Sequence, residues 1–273
     1  KLTVTGAVTN VNVGDLKRFP TSNMSNALAG NVPGIIARQT SGQPGKSTSE
    51  FWIRGISTFG ASSSAYILVD GFERSSLDEL NIEDIESFTV LKDASATAIY
   101  GSKGANGVVL VTTKRGLESK LKISGRANMT ISHLKRLPEY VNATQYAEMA
   151  NEASVATGLS PIYNKTEMDI IKYGLDPDLY PNIDWQDVIL NPNSFQQTYY
   201  VSAQGGSSVA RYFASLGMSK ESAAYNPSKD SKYNKGVGYD TYNYRLNLDI
   251  DLTKTTKVYI GTTGYMSVNT RPS

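Results

Sequence analysis

The chain of 273 residues contains no cysteine and a single histidine, His133. The first absence excludes a disulfide scaffold, a thiolate metal site and a cysteine nucleophile. The second removes a multi-histidine metal cage and most histidine-dependent catalysis. An excess of one charge is missing too: 27 Lys and Arg against 25 Asp and Glu give a formal +2. No basic stripe therefore points to nucleic acid as a partner. Long apolar runs are also absent. The longest clean one is about Gly107 to Val111, far short of the ~20 residues that a membrane helix needs. Lys1-Leu2-Thr3-Val4 has no apolar core behind it and does not read as a signal peptide. A membrane role, if there is one, must be carried by strands.

What the chain does have is a dense alternation of short elements over Asn81 to Gly116. Asn81 suits an N-cap, with Glu83 and Asp84 in the first turn where carboxylates favour the positive helix end. Ser87 to Leu91 reads as a strand, and Asp93 can cap a helix running through Tyr100 to a stop at Gly101. Gly107 to Thr113 is β-branched and apolar nearly throughout, as a strand buried on both faces should be. Upstream, Thr3 to Val13 alternates weakly and suits an edge strand or an extended lead. Thr21 or Ser22 can cap a helix carrying Met24, Ala27 and Leu28. Ile35 to Arg38, Phe51 to Arg54 and Tyr66 to Val69 read as strands, the last followed by the turn signal Asp70-Gly71. The pattern predicts an α+β domain over residues 1–116, a mixed sheet with short helices.

From Lys120 the pattern changes to long alternating segments: Leu121 to Ile131, Thr198 to Gln204, Ala210 to Ser219, Tyr242 to Leu252 and Lys257 to Val268. In the most regular, Tyr242, Tyr244, Leu246, Leu248, Ile250 and Leu252 oppose Asn243, Arg245, Asn247, Asp249 and Asp251. Segments of ~9–11 residues with one apolar side suit antiparallel strands of a transmembrane β-barrel. Soluble sandwiches alternate in the same way. The connections separate the two, running long, short, long, short (132–196, 205–208, 220–241, 253–255), the rhythm of outer-membrane barrels. Within the first, Asn142 and Gln145 can form a capping box for a helix over Val141 to Ala153. Its expected apolar face is Tyr146, Met149, Ala150 and Ala153, and Val141 can staple to Tyr146. Residues 117–273 thus predict about five barrel strands, too few to close, so the sequence is expected to be part of a longer chain.

Four stretches carry a resemblance, in order: NALAGNVPGIIARQTSGQPG (Asn26 to Gly45), WIRG (Trp52 to Gly55), YILVDG (Tyr66 to Gly71) and IEDIESFTVLKDASATAIYGSKGANGVVLVTTKRG (Ile82 to Gly116). The wording resembles the plug domain of the SusC/RagA family of TonB-dependent outer-membrane transporters from Bacteroidetes-type bacteria. The resemblance implies a plug inside a barrel of about 22 strands, of which about five are here, with an extracellular loop at 132–196. It implies a location in the outer membrane, a SusD-like surface lipoprotein over the mouth, and TonB acting through a box upstream of Lys1. The implied activity is nutrient import without bond chemistry or cofactor. An oligosaccharide is the expected substrate and a peptide the rival. A soluble carbohydrate-binding module and a carboxylate-based hydrolase are the readings from other classes.

Candidate residues follow. Gly101 to Gly107 holds three glycines, but the helix precedes them, opposite to a phosphate loop, so a structural turn is expected. Glu83/Asp84 and Asp249/Asp251 read as helix-start and polar-face carboxylates rather than a glycosidase pair. Arg54, Asp70, Lys92, Asp93 and Tyr100 are candidates for plug-core or plug–wall contacts. Ser57, Thr58, Phe59 and Trp185 are candidates for facing substrate, since loops carry binding and an aromatic ring can stack on a sugar. Several of the 17 tyrosines sit near strand ends, as in an interfacial girdle.

Overall fold

A computed structural model describes residues 8–18, 23–39, 41–53, 64–226 and 236–271. They divide into two compact units. One joins the chain up to Ile131 with Phe195–Ala223 and Val237–Arg271, and the other is Ser132–Ser194 with Ala224–Gly236.

The first unit begins with β1 (Val8–Val11), α1 (Val13–Leu16), α2 (Met24–Leu28), β2 (Ile35–Gln39) and β3 (Ser49–Ile53). It continues with β4 (Tyr66–Val69), β5 (Phe72–Arg74), a 3-10 turn at Ile82–Asp84, β6 (Ile85–Leu91), α3 (Ala94–Thr97) and β7 (Val108–Thr113). Five of these strands make a mixed sheet in the order β1-β6-β7-β4-β5, and β2 pairs with β3 separately. The β-branched run takes the centre: β7 lies parallel to β4 and antiparallel to β6, with Val108, Val109, Val111 and Thr113 buried. Leu16, Met24, Leu28, Phe88, Val90 and Val109 belong to the main core, whose burial drives folding of this unit. β1 is an edge strand, as its weak alternation suggests.

Local chemistry explains the turns. Asp70 (φ 51) and Gly71 (φ 88) form the two-residue loop joining β4 to β5, with left-handed values at both central positions. Gly107 (φ 87) opens β7 where an added Cβ would come 2.8 Å from Ile53 Cδ1, so a side chain there meets both strain and collision. Asn81 caps the 3-10 turn as expected, its side chain accepting from the Glu83 N–H at 2.9 Å.

The helix expected from Asp93 to Tyr100 is one α-turn, Ala94–Thr97, followed by 3-10 geometry broken at Gly101 (φ 59, ψ −142), and Asp93 makes no side-chain cap bond. The Thr21 and Ser22 caps lie outside the described residues, and α2 has Asn23 at its cap position. Strand β5 was not expected, because three residues with an exposed Phe72 carry no readable period.

The rest of the first unit is a sheet of β8 (Ser119–His133), β9 (Asn193–Gly206), β10 (Ala210–Ser222), β11 (Gly238–Asp251) and β12 (Lys257–Thr270), paired in sequence order. Its polarity is inverted. On β11, Arg245 and Asn247 are 6% and 0% exposed, whereas Tyr244 and Leu246 are 48% and 41% exposed. The inward side of β9 and β10 likewise buries Ser202, Ser215 and Ser219 while Val201 and Leu216 face out. A soluble sandwich buries its apolar face, whereas a barrel wall turns it to lipid. Gly217, on the inner side of β10, allows close approach: an added Cβ would come 2.7 Å from Asn81 Nδ2.

The second unit contains α4 (Ala143–Ala156), α5 (Lys165–Tyr173) and α6 (Trp185–Ile189). The Asn142/Gln145 capping box starts α4 as expected, and Asn164/Glu167 builds the same device for α5. The face assigned to α4 is corrected: Tyr146 and Met149 are exposed, and Ala147 is the residue buried. The staple residues Val141 and Tyr146 both stay exposed.

Candidate functional site

The place where chemistry concentrates is the contact between the first domain's turns and the inner side of the strand sheet. The Asp70 carboxylate accepts from the Thr113 N–H at 2.8 Å and from its hydroxyl at 2.6 Å, which ties the β4–β5 turn to the end of β7. On the other side, Arg245 Nη1 lies 3.5 Å from Asp70 Oδ2 and donates to Thr113 Oγ1 at 3.3 Å. Arg245 Nε lies 3.6 Å from Asp84 Oδ2, within ion-pair reach though beyond a hydrogen bond. The second Asp84 oxygen accepts from the Tyr200 hydroxyl at 2.8 Å. Asn247 donates to Lys114 O at 2.7 Å and to Thr113 Oγ1 at 3.2 Å, and Tyr259 donates back to Asn247 Oδ1 at 3.2 Å.

One buried guanidinium thus stands between two buried carboxylates. Burial pushes the Asp84 carboxyl above the ordinary aspartate value, against the Tyr200 hydrogen bond and the Arg245 charge, which pull the other way. Burial also pushes Lys114 down. Such a network costs desolvation, and the loss of one member leaves another charge dry and unpaired.

A second cluster flanks it. Glu83 bonds Lys17 at 3.0 Å and Arg126 of β8 at 2.5 Å, and Arg126 also donates to Lys17 O at 2.9 Å. Partial burial raises the Glu83 carboxyl, but the two cations outweigh it and hold the group below its ordinary value. A third contact pairs Arg115 with Asp249 at 3.5 Å, its guanidinium 4.3 Å from the centre of the Tyr259 ring. These are binding and positioning arrangements. Among the described residues no group of three or more His, Asp or Glu side chains could hold a metal ion.

Of the plug-contact and substrate-facing candidates, Asp70 alone is found in this network. Arg54, Ser57, Thr58 and Phe59 lie outside the described residues. Lys92 reaches the Pro33 carbonyl, within the first domain. Asp93 sits at the start of α3, and Tyr100 packs 6.0 Å from the Tyr66 ring beside Leu68, Leu91 and Val108. Trp185 opens α6 in the second unit, exposed. Asp84 reads from the sequence only as a helix-start carboxylate, and Thr113, Tyr200, Arg245 and Asn247 are not among the candidates. The available signal was Arg245 and Asn247 on the polar side of the most regular alternation.

Comparison with known proteins places this geometry. Residues 1–108 match the model of the TonB-dependent receptor plug domain. TonB-dependent receptor P26 of Formosa agariphila is 33% identical over 258 residues, which is 92% of this chain and 24% of that protein. TonB-dependent receptor SusC of Bacteroides thetaiotaomicron is 29% identical over 247 residues, 86% of this chain and 22% of the relative. The solved structure of the RagAB peptide importer in its closed-closed state superposes with a TM-score of 0.82 at 26% identity, covering 98% of this chain and 31% of that one. The chain spans about a quarter of the length of the curated relatives it matches. With a plug sheet held against the polar side of wall strands, the chain carries a TonB-dependent receptor plug domain and is similar along nearly its whole length to SusC/RagA-like TonB-dependent receptors.

Proposed function

We propose that this chain supplies the plug and the first wall strands of a nutrient importer, in which the plug gates the lumen and must release the wall for substrate to pass. The observation that carries this is the buried network of Asp70, Thr113 and Asp84 with Arg245, Asn247 and Tyr200: a contact of side chains between two sheets, breakable without unfolding either one. TonB supplies the pull, and a SusD-like surface lipoprotein captures substrate at the mouth. The substrate is an oligosaccharide, the cargo that the resemblance of the plug wording to the SusC/RagA family implies. A peptide is the second reading, favoured by the likeness to RagAB. A soluble carbohydrate-binding module fits poorly with an apolar sheet face turned outward.

The test is a reversible lock on the full-length protein in cells. Thr113 Oγ1 and Asn247 Nδ2 are 3.2 Å apart, and replacing both residues with cysteine joins plug to wall under oxidation. Uptake of labelled oligosaccharide should stop on oxidation and return on reduction, with surface binding unchanged. Full uptake through a quantitatively cross-linked protein would sink the gating role, and uptake of peptide instead of sugar would transfer the substrate to the second reading.

A further inference from the structure

The second unit holds a concavity of about 990 Å³ between the start of α4, the segment before α6 and α6 itself. Its frame is fixed by side-chain bonds. Asn182 Oδ1 accepts from the Ala143 N–H at 3.1 Å, Gln186 Nε2 donates to Pro138 O at 2.7 Å, and Asp184 Oδ1 accepts from the Gln186 N–H at 2.8 Å. Within this frame Tyr140, Tyr146 and Trp185 stay 77%, 59% and 62% exposed. Large rings left open on a fixed frame keep most of their apolar area available to a ligand, at little ordering cost.

The polar complement narrows the ligand. After the frame bonds are made, Asn182 Nδ2 is left as a donor, and Gln186 Oε1 and Asp184 Oδ2 as acceptors, among the described residues. The lining contains no lysine or arginine, and Asp184 is its one acid. A phosphate, a uronate or a peptide carboxylate finds no cation here. An extended peptide finds helix ends rather than a strand edge to pair with. A sugar ring, by contrast, offers an apolar face for a ring to cover and hydroxyls that both donate and accept.

We propose that this concavity is a capture site for a neutral oligosaccharide, with Trp185, Tyr140 and Tyr146 as the stacking faces and Asn182, Asp184 and Gln186 as the hydroxyl partners. The assignment rests on the reading of the protein as a sugar importer and gives that reading a residue-level site outside the plug.

The experiment uses the full-length protein extracted from outer membranes in detergent and titrated calorimetrically with maltoheptaose, cellohexaose, laminarihexaose, xylohexaose and mannohexaose. Oligoglucuronate and a pool of uncharged hexapeptides are the controls. At least one neutral glycan should bind, and Trp185→Ala should weaken it roughly tenfold or more, the usual cost of a stacking anchor. Tyr140→Ala should weaken it less, and Trp185→Phe should restore most of the affinity. Because Trp185 and Tyr140 are exposed, these variants keep the fold, which heat-modifiable gel migration verifies. Binding by none of the five glycans overturns the proposal, as does glycan binding unchanged in both alanine variants, or hexapeptide binding that Trp185→Ala abolishes. Glycan bound at Trp185 but never taken up by cells would sink the import reading and leave this site standing. Uptake of a glycan whose binding ignores Trp185 would do the reverse.

Discussion

The two five-stranded sheets of the first unit are built from the same β-branched and aromatic residues and are inside out relative to each other. In the plug sheet Phe88, Val90 and Val109 are buried, and Phe72 of the edge strand β5 is exposed. In the wall sheet Arg245 and Asn247 are buried and Tyr244 and Leu246 face out. Alternation therefore fixes which residues share a face, not which face is covered. What decides is the neighbour: the plug sheet finds helices and wall, whereas the wall finds the polar edge of the plug on one side. Its other side is suited to hydrocarbon.

The sharpest way to break this comparison is to remove what each interior depends on. Phe88→Ala opens a cavity in the plug core and should cost roughly 3–5 kcal/mol. Arg245→Met should cost a similar ~3–5 kcal/mol, for the opposite reason, by leaving Asp70 and Asp84 buried without their cation. The two are distinguished by rescue: adding Asp70→Asn and Asp84→Asn to Arg245→Met should restore most of the loss, while nothing polar rescues Phe88→Ala. Thermal unfolding of the full-length protein in detergent reads both. An Arg245→Met variant as stable as the parent would mean the network contributes nothing.

The next effect tests the outer side. Leu246→Arg should cost roughly 2–4 kcal/mol if the residue lies near mid-bilayer, and should lower the amount of folded protein in the outer membrane. Leu246→Ala in detergent should stay within about 0.5 kcal/mol, as for an ordinary surface position. Equal effects of the two would erase the distinction between the faces.

A smaller effect concerns pH. Glu83 is held below its ordinary value of 4.5 by Lys17 and Arg126, so its contribution is present above that value and lost as pH falls through its lowered range. Asp84 and Asp78 are raised by burial and carry the opposite sign, gaining stability on acidification. The informative quantity is therefore the difference between parent and Glu83→Gln, which should be clear at pH 7 and shrink below pH 4.5. Local hydrogen exchange around Lys17 and β8 measures it. A difference that grows on acidification would contradict the ion-pair account.

Much of the fold was legible because its elements are strongly patterned. The central run of β7, the turn at Asp70-Gly71, the capping box at Asn142 and all five wall strands are local signals, and each appears where its pattern lies. Elements without a period were not legible. β5 is three residues long, α6 is five, and α5 was missed although Asn164 and Glu167 offered the same box as Asn142 and Gln145. Asp93 looked like a cap because the sequence shows the residue type and not the turn geometry that follows it. The network was half legible. Asp70 stood out as a strand-end acid, but its partners lie far along the chain, and no local pattern reports which distant polar faces meet.

That separation has a kinetic consequence. Tyr200 and Asp84 are 116 residues apart, and Arg245 and Asp70 are 175 apart. Contacts that close loops of this size form late, after local pairings have settled. Asp70 and Asp84 therefore begin hydrated, in water, and dry out only when β11 arrives with Arg245. The plug sheet can take shape on its own schedule, and the arrival of a single cation marks the moment when it becomes part of the wall.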